Sequence, residues 1–264
     1  FEGIEASGKT TNFNIAANYL KKRRKSFIKI REPGGSIFSE KIRKLILNKK
    51  LDLNNKTDLL LFFAARSENF EKIIKKNYKK KIILIDRFTD STIAYQHYGM
   101  RIDLKIIKML NKFIIGNFSP ALIFLSTVNS INLQRRLGKR RKLNRYDKFK
   151  LNFYRKVQNG YNKISKNNKK YIKINSNINS IDEVKRIIIN KLDNIIWMSK
   201  HKLIGHESYL EDFVTLYKNN KLPNKILLSG KNGIGKSLLV HHFLLQIFNT
   251  HNDNELIRNQ SHPN

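Results

Sequence analysis

The chain has 264 residues, with 53 Lys+Arg against 20 Asp+Glu, a formal net charge of +33, 40% hydrophobic residues and no cysteine. That length and apolar content support one α/β core and part of another, which excludes wholesale disorder. The missing cysteines exclude a disulfide framework, a thiol nucleophile and a Cys-based zinc site, and fit a reducing cytoplasm. No apolar run approaches the roughly 20 residues of a membrane helix. The basic excess calls for polyanionic partners, phosphate compounds first. Lys, Asn and Ile crowd the whole chain, as an AT-rich coding bias would produce, so local clusters inform more than the total. These are 21–25, 79–81 and 135–145, and only the last is rich in Arg, whose fork matches phosphate oxygens.

In chain order, Phe1-Glu2-Gly3 runs directly into a glycine loop, so the chain is expected to be a fragment lacking most of the strand before that loop. Short β-rich runs predict strands at 26–30, 81–85, 121–125 and 171–174, separated by helical patterns that include 58–76. A helix over 181–196 follows Ser180, with Glu183 placed for a capping box. This alternation predicts an α/β domain over residues 1–198, a parallel sheet with helices on both faces, and the glycine loop at its start would make it one of the P-loop type. The pattern then restarts over 199–264: a helix at 207–219, a turn at 222–224, a strand at 225–229, a second glycine loop and a helix at 236–248. The chain ends before the later strands this second α/β unit would need, so it too is expected to be incomplete.

The run Gly3-Ile4-Glu5-Ala6-Ser7-Gly8-Lys9-Thr10 fits G-x-x-x-x-G-K-[ST], in which backbone N–H groups wrap phosphate oxygens at a helix N-terminus. Lys9 would meet the β- and γ-phosphates, Thr10 would offer its hydroxyl to Mg²⁺, and Gly8 would let the backbone approach. Gly230-Lys231-Asn232-Gly233-Ile234-Gly235-Lys236-Ser237 fits the same template, which makes Gly230, Gly233, Gly235, Lys236 and Ser237 a second candidate nucleotide site. No acidic partner for it lies in the residues present.

In open α/β sheets ligands gather beyond the carboxyl ends of the strands. Arg31-Glu32-Pro33-Gly34-Gly35 follows one strand there. Asp86 and Arg87 follow another, the first able to hold Mg²⁺ and the second to clamp an acceptor phosphate. Arg87, Ser91 and Tyr95 fall at four-residue steps and would share one face if a helix starts there; Phe62 and Arg66 are four apart on the 58–76 helix. The stretch from 135 to 147 is too charged for a packed element and is expected to form a mobile lid, whose arginines would close over the γ-phosphate.

These motifs, taken as a set over residues 1–198, resemble bacterial thymidylate kinase. The resemblance implies transfer of the ATP γ-phosphoryl group to dTMP, giving dTDP and ADP with Mg²⁺, in a cytoplasmic homodimer. ATP would lie on Gly3, Ile4, Glu5, Ala6, Ser7, Gly8, Lys9, Thr10 and Thr11. On the dTMP side, Glu5 would sit near the sugar and the metal, Phe62 would stack on thymine and Arg66 would contact the base. Arg87 would bind the phosphate, Tyr95 would crowd out a ribose 2′-hydroxyl, and Pro33, Ser91 and Gln96 would line the pocket. Thr10, Asp86 and Glu5 would serve the metal, and Arg136, Arg140, Arg141 and Arg145 are the catalytic candidates of the lid. Ala6 stands where many relatives have Gly, and is expected to keep φ below zero. Residues 203–264 resemble the start of the δ′ subunit of DNA polymerase III or a related clamp-loader ATPase, which implies replisome partners. Two rival readings are a kinase of another nucleoside monophosphate and an inactive basic kinase-fold module serving DNA replication.

Overall fold

Five parallel strands form, β1 (Glu2–Gly3) as the remnant expected before the glycine loop, and β2 (Phe27–Arg31), β3 (Ile82–Asp86), β4 (Ile123–Thr127) and β5 (Tyr171–Asn175) within two residues of the four β-rich runs. The computed structural model describes residues 1–139, 144–200, 203 and 205–251. These fall into two units, Phe1–Ile189 and Asn190–Asn264.

In the first unit β4 pairs with β1 and β5, and β2 pairs with β3, all in parallel. Phe1 joins the two sets: its nitrogen donates to the Ile85 carbonyl at 2.7 Å and its carbonyl accepts from the Arg87 N–H at 3.0 Å. The working order is therefore β2-β3-β1-β4-β5, with the chain turning to opposite sides of β1, the topology that opens a ligand crevice beyond the strand ends. Phe1 stacks on Phe124 at 5.1 Å between centroids and meets Phe13 edge-on at 5.4 Å, sealing the sheet against the first helix.

That helix, α1 (Lys9–Lys22), leaves the glycine loop directly. Ser36 caps α2 (Ile37–Leu47), and Asn54 caps α3 (Asn55–Asn69) by accepting from the N–H groups of Lys56 and Thr57. The predicted 58–76 helix is thus longer at its start, and it runs on through a π-helical turn, Phe70–Ile74, into α4 (Lys75–Asn77). Beyond β3 come α5 (Thr89–Thr92), a second π-helical turn (Ile93–Gly99) and α6 (Leu104–Ile115). After β4 follow α7 (Ser130–Gly138), a 3₁₀ turn (Tyr146–Lys148) and α8 (Leu151–Ile164). The helix α9 (Ile181–Lys200) carries the expected capping box: the Ser180 N–H donates to Glu183 at 2.7 Å and the Glu183 N–H to Ser180 Oγ at 3.3 Å.

The segment expected to be too charged for a packed element begins as a helix. Arg135 and Arg136 lie on α7, which Leu133 anchors in the core, with Arg135 exposed and Arg136 half-buried.

In the second unit α10 (Glu207–Lys218) and α11 (Lys236–His251) pack through Leu210, Leu239, Phe243 and Ile247. The strand expected over 225–229 does not form, and Leu227 is 91% exposed. A strand needs a ladder partner for its backbone groups, and none occurs among the described residues of this unit.

Candidate active site

The loop between β1 and α1 is shaped by contacts that require glycine at its start. At Gly3, with φ of 140°, a Cβ would lie 2.4 Å from the Ser126 carbonyl oxygen and 2.8 Å from Ser7 Oγ. Ser7 Oγ donates to the Ile4 carbonyl at 2.8 Å, and Asn12 Nδ2 to Ser126 Oγ at 2.9 Å, pinning loop and helix to β4.

Ala6, expected to keep φ negative, has φ of 55°. The turn that aims its carbonyl at Arg136 Nη1, 2.9 Å away, demands a left-handed residue, and Ala carries the strain of roughly 1–2 kcal/mol that Gly avoids. Ala6→Gly is therefore expected to stabilise the fold by about 0.5 kcal/mol after the entropy cost of Gly. Differential scanning calorimetry should show a melting midpoint raised by about 1–2 °C; a lowered midpoint would refute the strain.

The loop opens on a cleft of about 670 Å³, lined by Lys9, Asp86, Arg87, Phe62, Tyr95 and Arg136 among others, a size that suits a nucleotide pair. Lys9 forms an ion pair with Asp86. Burial pulls the Lys9 ammonium below its ordinary value, and the nearby Arg87 adds to this while Asp86 opposes it. Burial alone would push the Asp86 carboxyl up, but Lys9 and Arg87 hold it below the usual carboxylate value.

Glu5 joins the loop to the acceptor side. One of its oxygens accepts from Arg87 Nη2 at 2.9 Å and the other from the Tyr95 hydroxyl. Arg87 also lies over the Tyr95 ring, 5.0 Å from its centroid, and reaches Ser91 Oγ at 3.4 Å. The three residues meet as expected, but not on one helical face: α5 starts only at Thr89, and Arg87 precedes it with φ of 67°.

Phe62, Pro33, Ser91 and Gln96 line the cleft, as do Ile4, Gly8, Thr10 and Thr11. Arg66 does not. It is 1% exposed, and four of its N–H groups are engaged, by Glu32 at 2.8 Å, Asn111 at 3.0 Å, the Phe88 carbonyl at 3.0 Å and Thr92 at 2.9 Å. A guanidinium so placed braces α3 against α5 and α6, and touches the cleft only through Glu32. Burial pushes the Glu32 carboxyl up while Arg66 opposes it, and its Oε1 is buried without a hydrogen-bond partner.

The arginines of the expected lid separate in the same way. Arg136 lies on the cleft, and besides Ala6 it donates to Ser176 Oγ at 2.9 Å and to the Ser176 carbonyl at 3.0 Å. Arg145 is drawn away from it, paired with the buried Asp58 and donating from Nε to the Ile46 carbonyl at 2.9 Å. The Tyr146 hydroxyl donates to the same carboxylate, and Gln96 Nε2 to it at 3.2 Å. Asp58 thus gathers Arg145 and Tyr146 onto α3. Arg140 and Arg141 lie outside the described residues.

One cationic residue of the cleft escaped the sequence reading. Arg43 lines it and donates to the Pro33 carbonyl at 2.7 Å, and burial, with Arg31 and Arg87 nearby, brings its guanidinium down to about 10. The available signal was spacing: Ser39, Arg43 and Leu47 stand four apart on α2, so a buried serine and an apolar residue share a stripe with a charge.

The described residues contain no group of three or more His, Cys, Asp or Glu side chains placed to hold a metal ion. Mg²⁺ rarely uses such cages and takes one or two carboxylates plus substrate phosphates. Thr10 and Asp86 beside the phosphate loop fit that donor set, whereas both oxygens of Glu5 are already engaged. None of the described helices is long and apolar enough to cross a membrane.

Comparison with known proteins agrees with this geometry. The family profile described as Thymidylate kinase matches residues 1–188. The chain is similar to the thymidylate kinase of Thermosipho africanus, 41% identical over 167 residues, covering 63% of this chain and 83% of that protein. It is similar to that of Wolbachia from Brugia malayi, 36% identical over 197 residues, covering 73% and 93%. Among solved structures it resembles the crystal structure of thymidylate kinase from Ehrlichia chaffeensis, with a TM-score of 0.59 and 34% identity over 73% of this chain and 96% of that one. With its phosphate loop, acceptor-side arginine and matching profile in one unit, the chain belongs to the thymidylate kinase family of phosphotransferases.

Proposed function

We propose that the first unit transfers the γ-phosphoryl group of ATP to dTMP, giving dTDP and ADP. The observation that carries this reading is that one cleft holds the phosphate-loop Lys9 and the acceptor-side Arg87, joined through Glu5 and Asp86. Phosphoryl transfer needs little beyond positioning and charge stabilisation. On this reading the ATP phosphates draw Lys9 away from Asp86, and Arg87 with Arg43 holds the acceptor phosphate through charge-assisted hydrogen bonds. Phe62 offers its face to the pyrimidine, Tyr95 closes the sugar edge, and Arg136 waits beside the loop to meet developing charge. Thr10 and Asp86 would hold Mg²⁺, which when bound neutralises charge on the phosphates.

Initial rates of ADP formation with a panel of monophosphates test the acceptor. dTMP is expected to give the highest kcat/KM; a preference for AMP or CMP would move the chain to another nucleoside monophosphate. Tight, salt-dependent DNA binding without turnover would favour the inactive scaffold.

Three finer readings accompany this one. The unit acts as a homodimer, supported by the exposed Leu60 on α3 and Ile106, Met109 and Phe113 on α6. It works in the cytoplasm, in keeping with the absence of cysteine. Residues 199–264 form a clamp-loader-like ATPase unit with replisome partners, similar to the start of the δ′ subunit. Its loop supports a nucleotide site in that Gly230, Gly233 and Gly235 all adopt positive φ, and Lys236 Nζ turns back onto the carbonyls of Gly230 and Lys231 at 2.6 and 2.9 Å. Ser237 follows on the first turn of α11.

A further inference from the structure

Glu2 is an acid at the end of a central strand, 2% exposed, and the phosphate chemistry described so far gives it no task. Its carboxylate faces four donors, all from the stretch that carries Arg87 and from α8. Oε1 accepts from the Phe88 N–H at 2.8 Å and the Ser91 N–H at 3.4 Å. Oε2 accepts from Ser91 Oγ at 2.5 Å and the Tyr161 hydroxyl at 3.0 Å. An isolated buried carboxylate is costly to a fold, and one that meets this many donors fixes the backbone that supplies them.

That backbone is the strained one. Arg87 has φ of 67°, a left-handed conformation that a non-glycine residue keeps only where its surroundings impose it. The Arg87 N–H is held by the Phe1 carbonyl and the next N–H, that of Phe88, by Glu2, so the adjacent residues Phe1 and Glu2 grip both sides of the residue. Glu2 also sets the direction of a hydroxyl. A carboxylate only accepts, so Ser91 Oγ gives its one proton to Glu2 and keeps its lone pairs for Arg87 Nη1 at 3.4 Å and for the single Tyr161 proton, which Ser91 Oγ at 2.7 Å and Glu2 Oε2 at 3.0 Å share.

We infer that Glu2 is a positioning residue for the acceptor phosphate: its buried carboxylate holds the Phe88–Ser91 turn and orients Ser91 so that Arg87 presents its guanidinium to the cleft. This inference rests on the reading of Arg87 as the acceptor-phosphate ligand. An amide in place of the carboxylate would set N–H groups against N–H groups, or against the Ser91 proton, and release the Arg87 backbone.

The test compares Glu2→Gln, Tyr161→Phe, Arg87→Ala and the double variant Glu2→Gln/Arg87→Ala in the full chain, by KM for dTMP, KM for ATP and kcat. Glu2→Gln is expected to raise KM for dTMP about tenfold, the scale of one charged hydrogen bond, with KM for ATP within twofold of the parent. In the Arg87→Ala background it should add less than twofold. Tyr161→Phe, which leaves the carboxylate in place and removes one donor, should raise KM for dTMP about threefold and serves as the deciding variant if Glu2→Gln does not fold. If Arg87→Ala weakens dTMP while Glu2→Gln, or in its absence Tyr161→Phe, leaves KM for dTMP unchanged, the inference is overturned. Equal losses for dTMP and ATP, or full additivity with Arg87→Ala, would overturn it as well. If Arg87→Ala itself leaves KM for dTMP unchanged, the underlying reading of Arg87 fails instead.

Discussion

Lys9→Ala should lower kcat by about 10³-fold in an assay of ADP formation from ATP and dTMP, with the protein still folded. Lys9 is the cation at the mouth of the phosphate loop, 8% exposed, and its counter-charge is Asp86. Once phosphates occupy the loop, its ammonium meets charge that grows in the transition state in a site with little water, where one preorganised donor is worth about 3–4 kcal/mol. Asp86 loses its partner in the variant but keeps the Arg87 guanidinium nearby, so the melting midpoint should fall by only a few degrees. The substitution also isolates the second glycine loop. Titration of the variant with a fluorescent ATP analogue should retain one site if Gly230–Ser237 binds nucleotide, and a second substitution, Lys236→Ala, should remove it. A Lys9→Ala protein that turns over within tenfold of the parent would refute the placement of the triphosphate.

Arg87→Ala should raise KM for dTMP about 100-fold with a much smaller change in KM for ATP. A phosphate held by a forked guanidinium loses two charge-assisted hydrogen bonds, together about 3 kcal/mol. The same truncation leaves Glu5 with Tyr95 as its remaining partner of those two, so part of the loss will come through the loop. Arg87→Lys separates these effects: it restores the charge beside Glu5 but not the fork, and should recover stability while leaving KM for dTMP raised about tenfold. Steady-state kinetics with dTMP varied at saturating ATP decide the matter, and equal losses for both substrates would contradict the assignment.

The order of elements was legible because four of the strands are short β-rich runs and Ser180 with Glu183 marks the start of α9, whereas the Asn54 cap that starts α3 ahead of the expected residue 58 went unread. The phosphate loop was legible because its glycines, lysine and threonine are contiguous in sequence. What the sequence hid was direction. Arg66 has the spacing of a base-contacting residue, yet its donors point at Glu32, Asn111 and Thr92, partners 26 to 45 positions away along the chain. Arg145 sits among lid residues yet turns to Asp58, an acid no local pattern marks. The strand expected over 225–229 failed for a related reason: apolar content proposes a strand, but only a neighbouring strand completes one. Ala6 shows the converse, a local preference for negative φ overruled by the turn in which it sits.

The central claim is that one cleft brings a triphosphate on Lys9 to a pyrimidine monophosphate on Arg87 and passes the γ-phosphoryl group directly between them. Single-turnover mixing of enzyme with γ-labelled ATP, Mg²⁺ and unlabelled dTMP tests it most directly. The account predicts label in dTDP, with one ADP formed for each dTDP; label appearing only as inorganic phosphate, or remaining in ATP, would contradict it.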